Sequence, residues 1–157
     1  MNKVYSKRET IEAHTSLVLH LLKRHEVLVE SGTSEGHHQT YLSNIAAVNA
    51  GRQPGIVHVR LRSVGDPEVE KNEIVYARQI IIPCQDDAAI MRTCADLVHP
   101  IHHCAQKLGL QGTIDYDGRI FGRKPMMSFG GKYEVSRIEE VLELTSTIDN
   151  LIGFYLK

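Results

Sequence analysis

The stretch Ile56-Val-His-Val-Arg-Leu-Arg62 alternates without a break. Val57, Val59 and Leu61 fall on one side of an extended chain, and His58, Arg60 and Arg62 on the other, because successive side chains of a strand point to opposite faces. Such a stretch commits the fold to a sheet with one buried and one polar face. EIVYARQIIIP, ending at Pro83, supplies a second strand, rich enough in β-branched residues to be partly buried on both faces. The polar SVGDPEVEKN joins the two.

Around these strands the spacing turns helical. Ser6-Lys-Arg-Glu9 has the form of a capping box, in which the two side chains satisfy orphan amides reciprocally. Ile11, His14, Val18, Leu21, His25 and Leu28 follow at steps of three and four, which predicts a helix to about Val29. Ser31 to Gly36 reads as a flexible break. A short second helix is expected from about Gln39, carrying Leu42, Ile45 and Ala46 and ended by Gly51. Downstream, Asp86 or Asp87 caps a third helix that Gly109 stops. TIDYDGRIFG reads as a tight hairpin about Asp117-Gly118, and RKPMMSFGGKYEV as a loop. Ser136-Arg-Ile-Glu139 reads as a second capping box, opening a helix with Ile138, Val141, Thr145, Ile148, Ile152 and Tyr155 along one seam. The expected architecture is α+β: a four-stranded antiparallel sheet (ββαββα) preceded by two N-terminal helices, in a single α+β domain over residues 1–157.

The net charge of −1 gives no global attraction to nucleic acid or an anionic membrane, so nucleic acid is not the favoured partner. No apolar run approaches the roughly 20 residues that span a bilayer. The opening MNKVYSKRETIEAH lacks the apolar centre of a signal peptide. Cys84, Cys94 and Cys104 are odd in number and lack C-x-x-C spacing, which argues against a disulfide framework and for a reducing, cytoplasmic setting.

The densest chemistry is CADLVHPIHHCAQKLG, residues 94–109. Ile90, Cys94, Leu97, Ile101, Cys104 or Ala105, and Leu108 form the apolar seam of the third helix, which turns the cysteines inward as small hydrophobes. Asp96, His99 and His103 share the opposite face at steps of three and four, a spacing that brings a carboxylate and two imidazoles toward one divalent metal such as zinc. The alternative is a solvated polar face. His102 stands to the side and could meet a neighbouring element. Pro100 lacks the amide that would bond the Asp96 carbonyl and is expected to kink the helix. His14 and His25, on the seam of the first helix, suggest an interface between helices or subunits that responds to mildly acidic pH.

His58, Arg60 and Arg62 make a basic row on the exposed face of the first strand, which Arg78 extends if the second strand pairs in suitable register. Guanidinium groups on a rigid sheet suit phosphate. Tyr116 or Phe121 would stack on a base, and Lys132, after Gly130-Gly131, would add charge beside turned amides. No G-x-S-x-G elbow or other nucleophile constellation is present, and Cys84 is the best-placed reactive thiol. These residues point first to a non-enzymatic binding or regulatory module for a phosphorylated small molecule or nucleotide, held by His58, Arg60, Arg62, Arg78, Tyr116 and Lys132 without a cofactor. The alternatives are a metal-dependent hydrolase built on Asp96, His99 and His103, with His37 or His38 completing the shell, and a structural subunit of a homo-oligomer that associates through its N-terminal helices.

Overall fold

The computed structural model describes residues 6–24, 27–34, 37–49, 51, 55–61, 72–82, 86–117 and 126–156. Helix α1 (Lys7–Arg24) leads into strands β1 (Val27–Ser34) and β2 (His37–Asn44), then the short helix α2 (Ile45–Asn49). Strands β3 (Ile56–Arg60) and β4 (Glu73–Ile81) precede helix α3 (Asp87–Lys107). Strands β5 (Thr113–Asp117) and β6 (Met126–Tyr133), a 3-10 turn at Val135–Arg137 and helix α4 (Ile138–Tyr155) complete the order.

The fold is α+β, but the sheet is larger than the expected four strands. Six strands lie in the order β1-β2-β3-β4-β6-β5, with every neighbouring pair antiparallel. The two added strands occupy the segment read as the end of a long first helix and the start of a second. The helical spacing is real through Leu21, which is fully buried, but α1 stops at Arg24. Beyond it, Val27, Val29, Thr33, Thr40 and Tyr41 have the branched or aromatic side chains that suit a pleated surface. A second correction concerns the expected hairpin at Asp117-Gly118. The partner of β5 is β6, with Asp117 opposite Met126, inside the stretch read as a loop.

Helices cover one face of the sheet. Thr40, Leu42, Val57, Val59, Ile74, Tyr76, Ile80, Met127 and Phe129 point into that layer and are buried. All but Thr40 join Leu21 of α1, Ile90, Leu97 and Ile101 of α3, and Val141, Leu144 and Ile148 of α4 in one cluster. Burying a side chain of this size contributes about 1.5–3 kcal/mol.

The helix ends follow their local chemistry. The Ser6 amide donates to Glu9 Oε2 at 2.9 Å and the Glu9 amide to Ser6 Oγ at 3.2 Å, which completes the first capping box. Asp86 caps α3 by accepting from the Ala89 amide at 3.2 Å. At the other end of α3, Gly109 takes φ +71°, its amide donates to Gln106 O and that of Leu110 to Ala105 O. This pair of bonds is a Schellman motif. Arg137 Nη2 donates to the Leu108 carbonyl and so ties the end of α3 to the start of α4. The second capping box does not form, because a 3-10 turn occupies Val135–Arg137 and the residue before α4, Arg137, makes no side-chain cap. Pro100 lies within α3, which runs unbroken to Lys107.

Candidate functional site

The face of the sheet turned away from the helices collects part of the expected basic row. Cross-strand register places Tyr41, His58, Val75 and Lys132 in one row, and Ser43, Ile56, Ala77, Gly130 and Thr113 in the next. The rings of Tyr41 and His58 stack with centroids 4.4 Å apart and planes inclined by 17°. Burial first, and the Arg60 charge second, lower the His58 pKa to about 4, so its imidazole is neutral at pH 7. Arg60 is held by Glu73, with Nη1 and Oε1 3.6 Å apart. Lys132 is exposed two strands from His58, a separation of roughly 10 Å. Around these polar groups, Ile56 and Ile81 are 50% and 52% exposed.

Arg78 is not on this face. The register that sets Ile56 opposite Ala77 sends Arg78 to the covered side with Tyr76, where it is 5% exposed. Its Nη2 lies 3.5 Å from Asp149 Oδ1 of α4, and the Gly55 amide donates to the same oxygen at 3.4 Å. Beside them Tyr76 and Thr145 share a hydroxyl hydrogen bond of 2.7 Å. Gly55 permits this approach, since a Cβ there would meet Thr145 Oγ1 at 2.5 Å and the Tyr76 hydroxyl at 2.7 Å. Burial lowers the Arg78 pKa, with Asp149 opposing that effect, and raises that of Tyr76. The group is an internal clamp between sheet and helix. Tyr116 of β5 stands opposite Met127, and its side chain lies outside the described residues. Arg62 and Phe121 lie outside the described residues.

The glycine pair beside Lys132 does not form an anion loop. Gly130 and Gly131 are inside β6, opposite Ala77 and Tyr76, where the backbone serves the sheet. Asp96, His99 and His103 are exposed on α3. Among the described residues, no group of three or more His, Cys, Asp or Glu side chains comes together to hold a metal. The side chains of His37 and His38, the suggested completing ligands, are outside the described residues. His14 is buried and its Nδ1 lies 2.7 Å from Thr40 Oγ1, so it serves a contact between α1 and β2. Cys94 and Cys104 are partly buried and pack against the core as expected, while Cys84 is outside the described residues.

A separate cavity of about 350 Å³ opens where α3 ends and β5 begins. Ala105, Leu110 and Phe129 are among its walls, with His102, Gln106 and Gln111 also lining it. His102 meets a neighbouring element as its place beside the seam predicts, whereas Gln106 and Gln111 follow no motif that marks them in the sequence. Tyr41 falls in the stretch expected to be helical, although Thr40 and Leu42 alternate with Tyr41 and Ser43 as a strand requires. Among the described residues, no helix is long and apolar enough to cross a membrane. No protein-family model, curated protein or solved structure matches the chain.

Proposed function

We propose that the chain is a non-enzymatic assembly module that pairs with a second copy of itself through the open face of its sheet. The observation that carries this reading is the face itself. Six antiparallel strands are covered by helices on one side, while Ile56, Ile81 and Tyr41 stand exposed on the other. Large apolar side chains exposed on one uncovered sheet face mark a contact surface more often than a solvated one.

Relief alternates within one row of the face. Ile56 rises from β3, whereas Ala77 and Gly130 leave β4 and β6 low beside it. A two-fold axis along the strands, between β3 and β4, lays β3 over β4 of the other copy and β2 over β6. Aligned sheets then cross at about 30°. Ile56 then comes over Ala77, and Tyr41 approaches Lys132, a cation suited to an aromatic face. Charge favours this partner over phosphate, since Glu73 holds Arg60 and His58 is uncharged at pH 7. The Tyr41–His58 stack with exposed Lys132 across the sheet also supports a second reading, recognition of a phosphorylated small molecule or nucleotide on the same face.

Sedimentation of the purified chain separates the two. A dimer of the 17.6 kDa chain is expected, converted to monomer by Ala77→Arg or Ile56→Asp with the circular-dichroism spectrum retained. A monomer at every concentration, or a dimer indifferent to both substitutions, would overturn the assembly reading. A monomer whose melting temperature rises with ATP, and no longer does so after Lys132→Glu, would establish the second.

A further inference from the structure

The cavity at the end of α3 lies on the helix-covered side of the sheet, with Phe129 in its wall, and carries a different chemistry from the open face. Ala105, Leu110 and Phe129 are buried residues and give it an apolar floor. His102, Gln106 and Gln111 are exposed and give it a polar rim. His102 and Gln106 are one turn apart on α3, so both side chains stand on the same side of the helix. Gln111 approaches from the segment that leaves the helix.

Two glycines shape the opening. A Cβ at Gly112 would meet Phe129 Cζ at 2.4 Å, so only the absence of a side chain lets the backbone lie against the ring. Gly109 turns the chain at φ +71° and thereby brings Gln111 back beside Gln106. The helix end is already bonded: the Cys104, Ala105 and Gln106 carbonyls accept from Leu108, Leu110 and Gly109, and the Leu108 carbonyl from Arg137. What faces the cavity is therefore carboxamide and imidazole rather than unsatisfied backbone.

Charge narrows the occupant. Among the described residues, no Asp, Glu, Lys or Arg lines the cavity; the nearby Arg137 is engaged by the Leu108 carbonyl and Glu140, and the carboxyl end of a helix disfavours an anion. A volume of about 350 Å³ falls at the small end of ligand pockets, which combine an apolar body with a few convergent polar groups. A carboxamide side chain pairs in bidentate fashion with the N6 and N7 edge of adenine. We propose that this cavity is a binding site for an uncharged purine base or nucleoside, with the ring on Leu110 and Phe129 and its polar edge bonded by Gln106 and Gln111.

The probe is adenine, with adenosine and AMP beside it, titrated into the isotope-labelled full chain and followed by nuclear magnetic resonance of the side-chain amides. Saturable binding of adenine and adenosine that moves the Gln106 and Gln111 amide signals is expected. AMP should bind no more tightly than adenosine. Replacing either residue, Gln106→Ala or Gln111→Ala, should weaken adenine binding by ~10-fold or more. Both positions are exposed, and His102→Ala provides a third variant on the same rim. Absence of saturation at millimolar adenine and adenosine would overturn the proposal, as would binding unaffected by all three substitutions. Ala77→Arg, on the open face, should leave adenine binding unchanged, so failure of the assembly reading and failure of this one are distinguishable.

Discussion

Arg78 and His58 stand on neighbouring strands, and the register sends them to opposite sides of the sheet. The consequence for Arg78 is structural. Arg78→Met leaves the Asp149 carboxylate buried without its guanidinium and should cost about 3–5 kcal/mol. The double substitution Arg78→Met, Asp149→Leu should recover most of that loss, because two apolar side chains replace two desolvated charges. Urea denaturation of the three proteins checks both statements, and a double variant no more stable than Arg78→Met would refute the pairing. His58 predicts a pH effect of definite sign. Its folded pKa of about 4 lies below the ordinary value of 6.5, so the unfolded chain binds the proton more readily. Its contribution to stability is therefore present above pH 6.5 and is lost as pH falls toward 4. His58→Phe keeps a ring against Tyr41 and should remove about 1–2 kcal/mol of that loss; equal losses in both proteins between pH 7 and 4.5 would contradict it. Alternation showed that His58 and Arg60 share a face, but not which side of β4 joins them. EIVYARQIII offers Ile74 and Tyr76 at one parity and Val75 and Ala77 at the other. The deciding partner of Arg78 is Asp149, far along the chain.

At the scale of elements, the helices were legible where a local device marked them. Ser6 with Glu9, Asp86 and Gly109 each act within a few residues, so the sequence contains the whole interaction. Gly109→Ala should cost about 1 kcal/mol, since a side chain resists positive φ. A Cβ there would also stand 3.2 Å from Arg137 Nη2. Ser6→Ala should cost a similar ~1 kcal/mol through the lost cap. Thermal melts of the two variants measure both, and a Gly109→Ala protein as stable as the parent would count against the Schellman ending. The first hairpin was illegible for a related reason. Leu28 falls on the three-and-four spacing of α1 by coincidence, while the strand that holds β1 in place contributes nothing to its own local pattern. In β6, Gly130 and Gly131 suggested a loop because they interrupt the alternation of Met127, Phe129 and Tyr133. The cavity was hidden for the same kind of reason, since Gln106 and Gln111 acquire a common purpose only after the turn at Gly109.

For the whole molecule, the single covered face of the sheet concentrates stability in one layer. Leu97→Ala, at a fully buried position, should cost about 2–5 kcal/mol by leaving a cavity, without changing the assembly state. A loss below 1 kcal/mol in chemical denaturation would show that α3 is not packed as described. The strand order has a consequence for biosynthesis. β4 is followed at once by α3, yet its far edge is closed by β6, and Ile81 waits for Met126, 45 positions later (126 − 81). A ribosome adding ~5–20 residues per second takes several seconds over that interval. During it, the nascent meander β1-β2-β3-β4 presents β4 as a bare edge rich in isoleucine, a template for pairing with other chains. Release of a fragment ending before Met126 should therefore yield aggregates, whereas the full chain carries its own stopper for that edge.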